Sequence, residues 1–138
     1  MSSTAYQKKI TVRWADVDMN GHMKSTAYLE YCFDIRMGFL NENGFPISNF
    51  QKLQSAPVIL KDEVQYFKEV FLFDELIGNL ILKDISEDGR KFCFLNQFYK
   101  NNELVASVQT NWVWFHIPTR KAVPAPEALV TALKKLAG

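Results

Sequence analysis

Residues 25–40 read Ser25-Thr26-Ala27-Tyr28-Leu29-Glu30-Tyr31-Cys32-Phe33-Asp34-Ile35-Arg36-Met37-Gly38-Phe39-Leu40, and the way this stretch must pack decides the fold. Ser25 and Thr26 are residue types that cap helix N-termini. Behind them Tyr28, Leu29, Cys32, Phe33, Ile35, Met37, Phe39 and Leu40 cover most of a helix's circumference, broken only by Glu30, Asp34 and Arg36. A helix with so little polar face has to be wrapped by other structure. It is expected to stop in Asn41-Glu42-Asn43-Gly44, where Gly44 can take a left-handed cap, and Pro46 prevents its resumption.

The material for wrapping lies on both sides. Upstream, Lys9-Ile10-Thr11-Val12-Arg13-Trp14 alternates apolar and polar residues, the period of a half-buried strand. Downstream, after a less regular stretch through Gln54 with room for a short helical turn, residues 57–68 place Val58, Leu60, Val64 and Tyr66 at mostly even spacing. Strands over 76–86, 91–100 and 103–116 follow, separated by the turn signals Glu87-Asp88-Gly89 and Asn101-Asn102. The last of them puts Leu104, Ala106, Val108, Trp112 and Trp114 on one face and Ser107, Gln109 and Asn111 on the other. Pro118, Pro124 and Pro126 close the sheet, and Ala128, Leu129, Ala132, Leu133 and Leu136 recur with helical spacing. These elements predict an α+β fold in one domain over residues 1–138: a strand, the apolar helix, then a four-stranded antiparallel meander curled around that helix. Long strands such as 76–86 would be left open in a monomer, so dimerisation is expected.

Composition removes several function classes. In 138 residues, 48% hydrophobic and 22% charged, Lys+Arg number 16 against 15 Asp+Glu, a net charge of +1. That balance gives no electrostatic footprint for nucleic acid or an anionic membrane. No apolar run approaches the ~18 residues of a spanning helix. Lys8 and Lys9 are followed by no apolar core of a secretory leader, so the cytoplasm is the expected compartment. Cys32 and Cys93 sit among aromatics without metal-ligand spacing and read as reduced, buried thiols.

The densest polar constellation is Asp16-Val17-Asp18-Met19-Asn20-Gly21-His22-Met23-Lys24, between the first strand and the helix. It offers two carboxylates, a carboxamide and an imidazole ahead of a helix N-terminus, whose free N–H groups and dipole stabilise charge developing on an oxygen. A carboxylate to handle a water proton beside an oxyanion site is the equipment for hydrolysing an activated acyl group. Asp and Asn are also favoured turn residues, so a capping loop is the plainer alternative.

This segment, followed by Tyr28-Leu29, resembles the signature of hotdog-fold acyl thioesterases of the 4-hydroxybenzoyl-CoA thioesterase type, and its Asp-x-Asp-Met-Asn-x-His portion is similar to plant-type acyl-ACP thioesterases. The order of strand, helix and meander, and the closing Thr119-Arg120-Lys121-x-Val123-Pro124-x-Pro126-Glu127, extend the resemblance over nearly the whole chain. It implies a hotdog fold, a strongly twisted antiparallel sheet wrapped around a long central helix, and hydrolysis of an acyl-CoA or acyl-ACP thioester without metal or organic cofactor. By position it makes Asp18 the catalytic carboxylate, as general base or nucleophile, with Asn20 and His22 orienting the carbonyl or the water. Asp16 would fix the loop through backbone hydrogen bonds. The resemblance also implies a homodimer, or a dimer of dimers, with sites between subunits.

Two positions depart from the family pattern. Lys24 stands where an Asn is usual, which bears on loop packing and pantetheine contact; Trp14 stands where Phe or Tyr is common, which bears on the lining of Asp18. With Tyr28 these form the expected substrate surroundings. Glu63 resembles positions from which some relatives draw a second carboxylate, although an exposed strand glutamate is its plainer reading. Hydratase-type hotdog proteins resemble Asp-x-Asn-Pro-x-His, with His five residues after Asp; here Asp18 and His22 are four apart with Gly21 between them, which ranks hydrolysis above hydration. His116 reads as a strand-end hydrogen-bonding residue, and Trp112 and Trp114 as core. A hotdog protein that binds acyl thioesters or a partner without hydrolysis is the competing expectation, motivated by Lys24.

Overall fold

The computed structural model describes residues 6–136. Its central element is α1 (Ser25–Glu42), followed by a short α2 (Ile47–Leu53). The strands are β1 (Tyr6–Thr11), β2 (Ser55–Tyr66), β3 (Glu75–Ile85), β4 (Lys91–Lys100), β5 (Glu103–His116) and the two-residue β6 (Lys121–Ala122), before α3 (Glu127–Lys134). All pair antiparallel in one sheet of order β1-β3-β4-β5-β2, with β6 beside the end of β5.

The sheet curls around α1, which packs against β1, β3 and β5. Alternation supplies its inner face: Leu76, Leu80 and Leu82 from β3, Phe92, Phe94 and Phe98 from β4, and Ala106, Val108, Trp112 and Trp114 from β5 are all buried. From α1, Ala27, Tyr28, Cys32, Ile35, Phe39 and Leu40 meet them. Each such large side chain withdrawn from water contributes roughly 1.5–3 kcal/mol, and the rings interlock edge to face, as Phe94 does with Trp112 at 4.6 Å. Gly78 sets how closely the helix approaches: a Cβ there would stand 2.8 Å from Ile35 Cδ1 and 3.2 Å from Phe98 Cε1. α1 ends as its sequence predicts, with Gly44 at φ +85° and Phe45 N–H closing onto Leu40 O at 2.7 Å.

Four expectations are corrected. The meander holds three strands, β3, β4 and β5; β2 crosses to the far side and pairs with β5. β3 is therefore interior, paired on both sides, and the long open edge belongs to β2 instead. β1 ends at Thr11, before Trp14, because the chain turns into a 3-10 turn at Trp14–Asp16. Val105, not only its even-numbered neighbours, is buried, since the ladder between β4 and β5 shifts between Phe98 and Tyr99 and rotates the chain there.

Candidate active site

Two carboxylates two residues apart in the β1–α1 connection are placed in opposite environments. Asp16 is 3% exposed. Its Oδ2 accepts the Arg13 amide at 2.9 Å and the Tyr31 hydroxyl at 2.5 Å, and its Oδ1 accepts Arg13 Nη2 at 3.0 Å. Burial pushes the Asp16 carboxyl up, but the bonds from Arg13 and Tyr31 outweigh it and hold it below the ordinary carboxylate range. The same contact, after burial, pushes Tyr31 up to about 12. Asp16 thus clamps the 3-10 turn to the second turn of α1, and its carbonyl also receives the Lys24 amide at 2.9 Å.

Asp18 is exposed and organises the next turn. Its Oδ1 accepts the backbone amides of Asn20 at 2.9 Å and His22 at 3.1 Å, its N–H donates to His22 O at 2.9 Å, and Gly21 N–H donates back to Asp18 O at 3.0 Å. Gly21 takes φ +77° to close this turn, a conformation a side chain at that position would strain. Oδ2 of Asp18 has no protein donor among the described residues, so one oxygen builds the loop and the other faces solvent. His22 is half-buried, its ring 5.0 Å from that of Phe71 and its Nε2 3.7 Å from Glu69 Oε1.

The helix that follows starts bare. Lys24 occupies the N-cap without a side-chain cap bond, and no acidic residue lies in the first turn. Ala27 N–H folds back onto Lys24 O at 3.1 Å, leaving the Ser25 and Thr26 amides at the exposed end. Ser25 and Thr26, the expected caps, therefore sit just inside the helix. Such an end carries about half a positive charge, and no acidic side chain of its own first turn offsets it.

A cleft of about 300 Å³ adjoins this junction, lined by His22, Met23, Tyr28 and residues 66–70. Tyr28, 2% exposed, rests edge-on to Tyr66 at 5.7 Å, and burial, with lesser contributions from Tyr66 and Asp74, pushes its hydroxyl up to about 12. Of the expected site residues only His22 and Tyr28 line this cleft; Asp18, Asn20 and Lys24 are exposed on the adjoining loop and helix end and are not part of its lining. Trp14 stands on the 3-10 turn 78% exposed and is absent from the cleft lining. Glu63 is not brought there within one chain: it lies opposite Gln109 on β2 and pairs with Lys61 at 3.5 Å. Residues 66–74, which supply five of the eight residues lining the cleft and the groups on which the His22 ring rests, carried no recognisable motif. Tyr31 was legible only as helix. Among the described residues no group of three His, Cys, Asp or Glu could hold a metal.

A curled antiparallel sheet around a long apolar helix, with an acidic loop at the helix N-terminus, defines a hotdog-fold protein. Residues 12–133 match the model of the Thioesterase-like superfamily, and the chain belongs to that family. No curated protein sequence is significantly similar to it. Among solved structures it is similar to a 1,4-dihydroxy-2-naphthoyl-CoA thioesterase from Synechocystis, with TM-score 0.87 and 23% identity over 96% of this chain and 97% of that one. A Staphylococcus aureus protein solved in complex with CoA gives TM-score 0.88 and 19% identity, covering 97% and 86% of the two chains. A hypothetical protein from Aquifex aeolicus gives 0.85 and 24%, covering 93% and 98%. At these identities the likeness establishes the shared fold, while family membership supports thioester hydrolysis as the general activity.

Proposed function

We propose that the chain hydrolyses an acyl thioester, carried on coenzyme A or an acyl carrier protein, at the junction of the Asp18 loop with α1. The observation that carries this reading is the free Asp18 oxygen in the loop that leads into a helix N-terminus with neither cap nor acid in its first turn. The thioester carbonyl sets its oxygen against the Ser25 and Thr26 amides, where negative charge is favoured. Asp18 takes a proton from water as the water oxygen bonds to the carbonyl carbon; the tetrahedral oxyanion then collapses, the C–S bond breaks, and the departing thiolate recovers the proton. In the nucleophilic variant Asp18 attacks the carbon, the C–S bond breaks and the thiolate leaves, and water then hydrolyses the acyl–Asp18 anhydride to the free acid and the restored carboxylate, the proton released going to the thiolate. Asn20 and His22 orient the carbonyl or the water, Tyr28 and Lys24 flank the acyl group and the thiol arm, and Trp14 bounds the loop.

In one chain Asp18 faces solvent, so this reading includes a homodimer, with a dimer of dimers as the larger assembly. The open edge of β2 exposes Val58, Leu60 and Tyr66, a length of unpaired backbone and apolar surface suited to a second copy. Glu63 enters the reading only through such a partner's edge. The buried Cys32 thiol, pushed up to about 12 by burial, suits a reducing cytoplasm.

A panel of aliphatic and aromatic acyl-CoA esters, read by thiol release, tests the activity. Wild type turns over at least one class, and Asp18→Ala lowers that turnover roughly 10²–10⁴-fold; full turnover by Asp18→Ala overturns its role. The use of Asp18 Oδ1 as a turn acceptor favours one second reading, a hotdog protein that binds thioesters without cleaving them. Thermal stabilisation by acyl-CoA without thiol release would select it. Sedimentation at micromolar concentration finds a dimer, and Leu60→Lys shifts it to monomer with loss of turnover.

A further inference from the structure

The Asp18 loop does not stand by itself. Its return arm runs antiparallel along residues 70–72: Met23 N–H donates to Val70 O at 2.7 Å, Leu72 N–H donates to Gly21 O at 3.2 Å, and the His22 ring rests on Phe71. Where the loop sits therefore depends on where 70–72 sits, and that segment belongs to no strand, since β2 ends at Tyr66 and β3 begins at Glu75.

Asp74 holds it. One oxygen, Oδ2, accepts both the Phe71 amide and Lys100 Nζ, each at 2.8 Å. The Asp74 amide donates to Phe71 O at 3.1 Å, and its carbonyl accepts Val12 N–H at 2.9 Å, so one residue links the turn to the chain beyond β1 and to the end of β4. The turn it closes keeps Phe73 at φ +69°, a left-handed conformation that aromatic residues rarely adopt and that persists only where the surroundings over-determine it. Lys100 also lies 6.0 Å over the Phe71 ring, the ring His22 leans on. The pair is half-buried, with side chains 20% and 31% exposed, so solvent screens it less than the surface pairs elsewhere in the chain.

We propose that Asp74 and Lys100 are a positioning pair for the reaction, fixing the 70–74 turn and through it the register of the Gly21–Met23 arm that carries His22 and closes the Asp18 turn. This rests on the thioesterase reading for its kinetic consequence but not for its structural one. Neither residue contacts the acyl group in that reading; they set the geometry in which Asp18 meets the carbonyl.

The test combines turnover with site-resolved amide hydrogen exchange on the intact chain. Because small displacements of a catalytic group are costly, Asp74→Ala lowers kcat roughly 10- to 100-fold with KM changed by less than about threefold. It also speeds exchange at Met23 and Leu72 while the β4 and β5 amides stay protected. Asp74→Asn, which keeps an acceptor for Phe71, recovers part of the lost kcat, and Lys100→Arg retains what Lys100→Met loses. Lys8→Met, which breaks the exposed ion pair between β1 and the end of α1 at Glu42, leaves kcat unchanged. Wild-type kcat in both Asp74→Ala and Lys100→Met overturns the proposal, as does a kcat loss accompanied by loss of protection throughout the sheet. Should wild type cleave no thioester, the proposed function fails separately, and unchanged exchange at Met23 and Leu72 in Asp74→Ala would still overturn the positioning pair.

Discussion

At its C-terminus α1 is closed several times over: Asn43 N–H reaches Phe39 O and Leu40 O, the Asn43 side-chain amide donates to Phe39 O at 2.8 Å, and Phe45 N–H returns to Leu40 O. At its N-terminus the same helix has a lysine at the cap position, no side-chain cap and no acid in the first turn. A cap is typically worth ~1 kcal/mol, so the bare end is a stability forgone at one position and secured at the other. The difference teaches where to look for chemistry: the finished end serves the fold, and in the proposed function the unfinished end keeps its amides and its partial positive charge for the thioester oxygen.

Three substitutions break or sharpen that contrast. Asp16→Ala has the largest expected effect, because it unties Arg13 and Tyr31 from the clamp that seats the bare end; it costs about 3 kcal/mol in urea unfolding at pH 7. That difference shrinks with acid. A carboxyl whose folded pKa is depressed contributes stability above its unfolded value and loses it as pH falls through the folded value, so the gap between wild type and variant narrows below about pH 4. Thr26→Glu comes next: an acid in the first turn raises stability by ~0.5 kcal/mol while lowering turnover roughly tenfold, since it opposes the charge the site must accept. A variant both more stable and fully active would remove the link between the bare end and catalysis. Asn43→Ala comes last, about 1 kcal/mol in thermal unfolding with turnover untouched, against the ~1.4 kcal/mol that a tenfold loss of turnover represents.

Much of this architecture was legible in local pattern. α1 announced itself by an apolar surface too wide for a solvent-facing helix, and the turns at Asn101-Asn102, with φ +50° and +64°, and at Gly89 by residues that tolerate such angles. Strand order was not legible, because alternation says which face of β2 is apolar and not which neighbour it pairs with. The bulge that turns Val105 inward depends on its partner strand, while the 3-10 turn that ends β1 is closed by Arg13–Asp16 bonds that the apolar–polar alternation through Trp14 conceals. The same division runs through the site. Asp18, Asn20 and His22 stood out as a dense polar cluster, whereas Tyr31 and Lys100 read only as members of a helix and a strand and Asp74 as part of a connection, and only the fold brings them behind the loop.

Cys32 gives the wrapped helix a chemical clock. Only a thiolate reacts readily with an alkylating reagent, and a thiol sealed between helix and sheet, with its proton held up to about 12, presents almost none at neutral pH. Cys93, half-buried on β4, is expected to label from the folded state. Cys32 reacts only when α1 lifts from its sheet, so the slow phase of labelling counts how often the roll opens.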